Sequence, residues 1–298
     1  MIRLHADSLL KNADWPKRTA DRISDLQHTT TESLREHLGP GPHPSGSEQS
    51  VHGTRGGEER FQAVKAWGLK KFGDEKKAEN FANWFGDSQA VDENGHPLTV
   101  YHGTDQKFDQ FEIGRTGVRS VMFDTREVET QGVFFSSSHE DAKTYGDNVM
   151  PAYLSAQNPF SDPSQFPAST KDPESMKGAK KAWEDAEYIF EPLVYEKNGS
   201  KFVDTNYGIS ATEIDEDGEW VSALFPDGKL DWNVLDEPKV VKRMKERGYD
   251  SAFVSEQNDE SGASWFITSP NQIKSATGNR GTFDPNSPKI NEAHDGTS

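Results

Sequence analysis

Apolar residues recur at helical intervals from Glu58 onward. Over residues 58–85 they return every three or four positions, which predicts one or two helices packed against a core. The preceding stretch "GPGPHPSGSEQSVHGTRGG" (39–57) is rich in glycine, proline and serine, the composition of a flexible linker. Residues 21–38 fit one short amphipathic helix. We therefore predict a flexible N-terminal arm and linker over residues 1–57.

Short apolar runs after residue 90 predict β-strands separated by turns. The segment "VDENGHPL" (91–98) contains an Asn-Gly pair, which is typical of a tight turn, and it leads into the run "LTVYHG". Further strands are predicted at "GVFFSS" (132–137), "VMPAYLSAQNPF" (149–160) and "ASWFIT" (263–268). The polar stretch 105–131 predicts a loop.

Two later helices are predicted from their end signals. Ser137 followed by Glu140 matches a capping box, so we expect a helix to start there with Ala142 and Tyr145 on one face. The segment "EPKVVKRMKERGYDSAFV" predicts a helix that Gly248 ends, followed by a strand. The inward-facing residues of that helix are predicted to be Val240, Val241 and Met244.

The remaining segments fit one domain of the α+β class. Residues 161–236 contain a helix candidate near 175–190 and several short strands, and we interpret them as an elaboration inside the domain. Trp67 and Trp84 have helical spacing with other apolar residues and are predicted to be core. The domain is predicted to cover residues 58–290, with a disordered tail at 291–298.

Composition limits the expected partners. The formal charge is −17, 32% of residues are hydrophobic, and the mean hydropathy is −0.87. A surface this acidic repels nucleic acid and anionic membranes. We therefore expect neither as a partner. The chain has no cysteine, no apolar signal-peptide core and no apolar run approaching 18 residues. We expect a soluble protein that is not secreted by a signal peptide.

No metal site is predicted. The three histidines in or beside the linker have no carboxylate or cysteine cluster near them in the sequence. The acidic segment "EIDEDGE" lacks the ligand spacing of a calcium loop. The histidines concerned are His37, His43 and His52.

A candidate ligand site lies around the strand "LTVYHG". His102 and Thr104 flank a glycine, which lets a flat ligand approach the backbone closely. Phe134 lies on the second predicted strand and Tyr145 on the helix that follows it. A ligand with an amide ring and two riboses suits this set, because backbone groups hold amides, aromatic faces hold rings and imidazoles bond hydroxyls.

These segments also resemble a known family. The order "YHGT", "GVFFSS", "HEDAKTYG" and "SWFITSPNQIKSATGN" resembles the ADP-ribosyltransferase fold, above all the phage and prophage ART-type polyvalent-protein domains. In the poly(ADP-ribose) polymerase-like branch a tyrosine follows a strand aromatic by eleven residues, as Tyr145 follows Phe134 here. The resemblance covers roughly residues 80–160 and 238–290. Separately, "GPGPHPSGSEQSVHG" is similar to a linker of phage head-morphogenesis and other virion proteins.

The resemblance implies a split, bent antiparallel sheet with NAD in the cleft between its halves. His102 would bond a ribose hydroxyl, the Gly103 backbone would bond the carboxamide, and Thr104 would support His102 or the ribose. Tyr145 would stack under the nicotinamide, with Phe134 closing the other side. The NAD-binding residues implied are His102, Gly103, Thr104, Phe134, Ser136 and Tyr145.

The final strand departs from the family pattern. Related transferases place a glutamate on this strand, at the start of a segment of the form "EYVVF". Aligning that family segment with "SWFIT" of this chain puts Ser264 at the glutamate position. Losing an electrostatic stabiliser of this kind costs on the order of 2.7–4 kcal/mol, or roughly 100- to 1,000-fold in rate. The implied catalytic set is therefore His102, Tyr145 and Ser264. Substitutes for the glutamate in the neighbouring loops are Glu256, Glu260 or Gln272, and for Gln272 a structural role is favoured.

The function expected from this resemblance is mono-ADP-ribosyl transfer from NAD to a protein acceptor. The acceptor is expected to be a host protein during phage infection, and the location the phage virion or the host cytoplasm. Two alternatives stay open. One is a catalytically weak or inactive virion-associated structural protein that contacts other virion proteins, and the other is an NAD glycohydrolase.

Overall fold

A computed structural model describes most of the chain after the linker. It covers residues 55–121, 124–161, 173–206, 210–214, 224, 232–255 and 263–291. The predicted helix at 21–38, nearly all of the predicted arm and all but the first residue of the predicted tail lie outside the described residues.

The described part contains five α-helices and twelve strands. The helices are α1 (Arg55–Phe72), α2 (Glu75–Phe85), α3 (His139–Lys143), α4 (Pro173–Phe190) and α5 (Pro238–Glu246). The strands are β1 (Val100–Thr104), β2 (Thr116–Val121), β3 (Asp124–Glu129), β4 (Val133–Ser136), β5 (Asn148–Leu154), β6 (Pro159–Ser161), β7 (Val194–Lys197), β8 (Ser200–Asn206), β9 (Ser210–Ile214), β10 (Ser251–Ser255), β11 (Ala263–Ile267) and β12 (Ile273–Ser275).

Helices α1 and α2 are the two predicted from the apolar spacing of residues 58–85. Gly73, with a φ of 69°, lies between them, and the Asp74 carboxylate accepts the backbone N–H of Lys77 to cap α2. Both helices bury aromatic rings against β5. The buried cluster comprises Val64, Phe81, Ala82, Trp84, Phe85, Tyr153 and Phe283, with Phe61, Trp67 and Phe72 packed on it. Trp67 and Trp84 are core residues, as predicted.

The central sheet has seven strands in the order β12-β5-β1-β4-β11-β10-β6. Every neighbouring pair is antiparallel except β10 and β6, which are parallel. The α+β class is therefore confirmed, and the sheet, expected to be antiparallel, includes one parallel pair at its edge. The parallel pair arises because β6 follows β5 after four residues and enters the sheet at its opposite edge.

The sheet divides between β1 and β4. Strand β1 pairs with β5 over five residues, whereas its pairing with β4 consists of one position, Tyr101 with Ser136. On the other side, β4 pairs with β11 over four positions. The two halves are thus β12-β5-β1 and β4-β11-β10-β6, and they meet at a single pair.

Two crossover segments join the halves away from this pair. One links β5 to β6, and the other links β11 to β12. The segments are bonded to each other: the N–H of Ser155 donates to the Gln272 carbonyl (2.8 Å), and Gln272 Nε2 donates to the Ser155 carbonyl (3.0 Å). The bonded crossover segments therefore hold together the two halves of the sheet.

The middle of the chain adds a second core on one face of the sheet. Helices α4 and α5 and strand β8 bury a cluster with Phe160 and Phe266 of the sheet. Helix α5 buries Val240, Val241 and Met244, and Gly248 (φ 85°) follows its end, as the sequence predicts. Strands β7, β8 and β9 form a separate antiparallel sheet.

The segment after β12 packs back against the start of the domain. The N–H of Ile290 donates to the Asp109 carbonyl (2.8 Å), and the N–H of Ser275 donates to the Ile290 carbonyl (3.0 Å). The buried Lys274 ammonium donates to the carbonyls of Ser287 and Lys289. These contacts agree with a domain that continues to residue 290, and the bounds 58–290 stay a prediction.

Two local predictions are wrong. The predicted loop 105–131 contains a hairpin, β2 and β3, with six paired positions. Its strands are mostly polar and charged, so no regular apolar alternation marked them in the sequence.

The second error concerns the start of α3. The cap of this helix is Ser138, not Ser137: the Ser138 hydroxyl accepts the N–H of Asp141, and the helix begins at His139. The reason is that the Ser136 hydroxyl accepts the N–H of Ser138 (2.9 Å), which delays the helix by one residue. Tyr145 follows the helix instead of lying on it. None of the described helices is long and apolar enough to cross a membrane.

We predict that Phe81→Ala lowers the free energy of unfolding by about 3–5 kcal/mol, because it empties a fully buried site between α2 and the sheet. Leu69→Ala on α1 is the control, since Leu69 is 47% exposed and its loss should change stability by at most about 0.5 kcal/mol. Urea unfolding followed by circular dichroism measures both. A loss below about 1 kcal/mol for Phe81→Ala would contradict the packing described.

Candidate active site

The predicted site residues lie on β1, β4 and β11 and just after α3, around the place where the two halves of the sheet separate. Ser136 is the register partner of Tyr101 on one side and of Ser264 on the other. Registered residues of antiparallel strands point to the same face, so these three side chains form a row across β1, β4 and β11. Phe134 lies on that same face, two residues along β4.

His102 fills the gap that opens beside this row. Its Nδ1 lies 2.8 Å from the Phe134 carbonyl oxygen, at the position where the β1–β4 ladder no longer continues. Its ring packs edge-on against Phe111, with centroids 5.0 Å apart, and lies 5.5 Å from the ring of Phe135. The imidazole therefore points to the face opposite the row but bonds the backbone of the facing strand.

Burial determines the charge of His102. Removal from water lowers the pKa of His102 below its ordinary value of 6.5, and the bond to the Phe134 carbonyl raises it less. The imidazole is therefore neutral at pH 7. Because a carbonyl only accepts, Nδ1 must hold the proton, which leaves Nε2 with a lone pair that accepts hydrogen bonds.

The backbone of Gly103 points into the gap. The Pro151 carbonyl accepts the N–H of Ala276 (2.9 Å), so Pro151 directs its carbonyl away from β1. The pair Tyr101–Pro151 is then a non-hydrogen-bonded pair, and by alternation so is Gly103–Val149. The N–H and C=O of Gly103 are consequently directed away from β5, toward the side where β4 has separated.

Glycine is required at position 103 by packing. A Cβ on Gly103 would overlap the carbonyl oxygen of Ala142 on α3, and it would lie 3.2 Å from Cβ of Tyr145. A Cβ on Gly146 would likewise overlap the backbone of Thr104. The sequence argument assigned this glycine to the approach of a ligand, whereas the space it leaves on this face is filled by α3.

This packing fixes Tyr145 at the surface beside Gly103. The N–H of Tyr145 donates to the Ala142 carbonyl (3.1 Å), and Tyr145 is 65% exposed. Phe134, on the same face of the sheet, is half-buried with its ring 4.8 Å from that of Phe266. Tyr145 is therefore an exposed residue beside Gly103, while Phe134 belongs largely to the core.

The other predicted residues divide between site and scaffold. Ser136 and Ser264 are each 6% exposed. Thr104 ends β1, and its hydroxyl accepts the N–H of Gln106 (3.1 Å), a local turn contact and not a bond to His102. Gln272 joins the crossovers, which is the structural role favoured for it. Glu256 and Glu260 lie outside the described residues.

Two contributions to the site were missed by sequence reasoning. The Ala142 carbonyl contacts Gly103, and nothing in the sequence marks an alanine for this position. Phe108 and Phe111 pack on His102 from the stretch predicted as a loop. Their signal was a pair of aromatic residues three apart in an otherwise polar segment. Within the described ranges, no group of three or more acidic or histidine side chains is placed to hold a metal ion.

Comparison with known families gives one match. The family described as "ADP-Ribosyltransferase in polyvalent proteins" matches residues 92–283, nearly two thirds of the chain. The chain belongs to this family. Comparisons with curated proteins and with solved structures gave no match.

The match confirms the family that the motifs indicated. It runs from the turn before β1 to Phe283 in the aromatic cluster, and it includes the middle segment that the motif resemblance had left unassigned. All the residues predicted to bind NAD lie inside it. ADP-ribosyltransferase domains in general use NAD as their substrate.

We predict that Gly103→Ala destabilises the protein by about 1–3 kcal/mol, because the added methyl group forces α3 away from β1. Gly57→Ala is the matched control, since nothing lies within 4 Å of its Cβ position and alanine favours the helix by about 0.5–1 kcal/mol. Thermal unfolding of both variants measures the difference. Equal stability of the two would contradict the contact between α3 and Gly103.

We also predict a pH dependence that originates at His102. Because its pKa is lowered in the folded chain, the unfolded chain binds a proton first as the pH falls below about 6.5. The free energy of unfolding should therefore decrease from pH 7 toward pH 5. His102→Gln keeps an N–H donor for the Phe134 carbonyl and removes the titration, so its decrease should be shallower in urea denaturation. Parallel curves would refute this assignment.

Proposed function

We propose that this chain transfers a single ADP-ribose unit from NAD to a protein acceptor. The supporting observation is the gap between β1 and β4. The Gly103 backbone faces this gap, and His102 and the exposed Tyr145 lie beside it on opposite faces of β1. Each of these groups matches one part of the nicotinamide riboside half of NAD.

The nicotinamide would be held by Gly103 and Tyr145. A carboxamide has one acceptor oxygen and an N–H₂ donor, and a strand backbone directed into a gap offers the complementary N–H and C=O. The exposed Tyr145 ring next to Gly103 offers a flat apolar surface on which the nicotinamide ring would stack. Phe134 supports the same face from within the core.

The ribose would be held by His102. Its neutral Nε2 is a hydrogen-bond acceptor, and a ribose hydroxyl is a donor. The bond to the Phe134 carbonyl fixes the tautomer and the ring orientation, so this acceptor is prepared before NAD binds. A protonated imidazole would lose the acceptor and would repel the positive sugar that forms in the reaction.

The reaction would proceed by cleavage of the bond between the ribose C1′ and the nicotinamide nitrogen. Nicotinamide leaves with the bonding electron pair, and positive charge develops on the sugar as in glycoside cleavage. A nucleophile of the acceptor forms the new bond to C1′ and loses its proton. The side chains of Ser136 and Ser264 add no charge that would grip a second ribose, which supports single-unit transfer over chain elongation.

A host protein is the proposed acceptor, and a phage is the proposed source. The linker at 39–57 resembles those of phage head-morphogenesis proteins, which supports a location in the virion or the infected host cytoplasm. The acidic surface favours protein over nucleic acid as the acceptor class.

Incubation of the full chain with NAD labelled in the adenylate and with bacterial host lysate tests the proposal. Discrete labelled protein bands are expected. Release of nicotinamide without labelled protein would indicate that the chain hydrolyses NAD and does not transfer ADP-ribose to a protein. The alternative of an inactive virion-associated protein would remain if the chain consumes no NAD and its melting temperature does not change when NAD is added.

Tyr145→Ala should weaken NAD binding by about 10- to 100-fold, because a base stacked on an aromatic ring contributes about 1–3 kcal/mol. The exposed position of Tyr145 makes loss of folding unexpected. Tyr195→Ala, at a 43% exposed tyrosine on β7, is the matched control and should bind NAD as the wild type does. Isothermal titration calorimetry measures both, and equal affinities would argue against the stacking role.

A further inference from the structure

We propose that a pocket beside the two crossover segments is a second ligand site, which binds a neutral carbohydrate of one or two sugar units. The pocket has a volume of about 400 Å³ and opens to solvent. None of the residues predicted to bind NAD lines it. The inference is therefore independent of the proposed function.

Both crossover segments contribute to this pocket. Ser155 and Gln157 lie in the segment between β5 and β6, and Asn271 and Gln272 lie in the segment between β11 and β12. The end of α5 contributes Lys245. A molecule bound in the pocket would thus contact both of the segments that join the halves of the sheet.

Four polar side-chain groups of the lining have no partner within the part of the chain that the structure describes. They are Gln272 Oε1, the Lys245 ammonium, the Ser269 hydroxyl and the side-chain amide of Asn271. Gln272 Oε1 is buried, and the bond from Nε2 to the Ser155 carbonyl holds its amide in place. A buried acceptor without a donor is unfavourable, so a ligand that supplies the donor would be stabilised there.

The charges of the lining favour a neutral ligand. Among the described lining residues, only Lys245 and Asp250 are charged, and their formal charges cancel. The carboxylate oxygens of Asp250 already accept the backbone N–H groups of Gln157 (2.9 Å) and Asn158 (3.1 Å). An anion in the pocket would be repelled by Asp250, and a cation would be repelled by Lys245.

Two aromatic side chains of the lining have their polar atoms bonded elsewhere. Trp84 Nε1 donates to the Asn271 carbonyl (2.9 Å), and the Tyr249 hydroxyl donates to the Asp185 carboxylate. Both side chains therefore line the pocket without a free polar group. A pocket of this kind, part aromatic and with a few unpaired polar groups, suits a small ring that has apolar faces and a polar edge.

Hydroxyl groups meet the requirements of all four unpaired groups. A hydroxyl can donate to Gln272 Oε1 and accept from the Lys245 ammonium, and it can do either with the amide of Asn271. A sugar ring carries several hydroxyls around a ring with apolar C–H faces. A fully ionised phosphate or a carboxylate has no donor, so it would leave Gln272 Oε1 unpaired.

The test is a titration of the full chain followed by saturation-transfer NMR of the ligand. The sugar probes are glucose, galactose, N-acetylglucosamine and lactose, and the comparison probes are triglycine and inorganic phosphate. At least one sugar is expected to bind saturably, and neither comparison probe is expected to do so.

A pair of double variants locates the binding. Lys245→Ala combined with Asn271→Ala is expected to lower the sugar affinity about tenfold or more, because two hydrogen bonds to the ligand are lost. Folding should be retained, since neither side chain has a polar partner among the described residues. Lys242→Ala combined with Asn286→Ala is the matched control, at exposed positions outside the pocket, and should bind within about twofold of the wild type.

Three results would overturn the proposal. The first is that none of the four sugars binds saturably. The second is that triglycine or phosphate binds as tightly as the best sugar, which would replace the carbohydrate by a peptide or an anion. The third is equal sugar affinity of the two double variants, which would place the binding elsewhere on the chain. None of these results bears on NAD, so the proposed function stands or fails separately.

Discussion

The bond between Nδ1 of His102 and the Phe134 carbonyl is the contact on which the site depends. It forms where β1 and β4 stop pairing, so a side chain replaces the backbone ladder that would otherwise have closed the sheet. The gap can therefore exist without leaving that carbonyl unsatisfied in the interior. The same bond selects the tautomer that leaves Nε2 as an acceptor, so one contact links the architecture to the chemistry.

The contact between α3 and Gly103 is a second constraint, and it positions Tyr145. Helix α3 is five residues long and too short to be stable alone, so its place is set by contact with β1 at Gly103. That contact places Tyr145 beside Gly103, and the ring of His139 at the start of α3 packs edge-on against Tyr101. The crossovers bonded through Ser155 and Gln272 hold the two halves of the sheet in the arrangement that α3 needs.

Much of the fold was predictable because its elements follow apolar periodicity. Helices α2 and α5 bury an apolar stripe, and strands β1, β4, β5 and β11 are short runs rich in apolar residues. The predicted elements overlap all of them, although the strand predicted at 149–160 divides into β5 and β6. The hairpin of β2 and β3 was missed because its residues are polar and its order comes from backbone pairing. The one-residue error at Ser138 has a similar cause, since the competing hydroxyl of Ser136 acts through a hydrogen bond that has no sequence period.

The sequence by itself determined the family and the class of the fold, because motif order and spacing are properties of the chain. Only the tertiary structure decided the surroundings of the predicted site residues. Whether His102 is charged depends on how far it is removed from water, and whether Tyr145 is exposed or Phe134 buried depends on which strands and helices cover it. The directions of the Gly103 backbone groups depend on hydrogen-bonding alternation between paired strands, which no single segment contains.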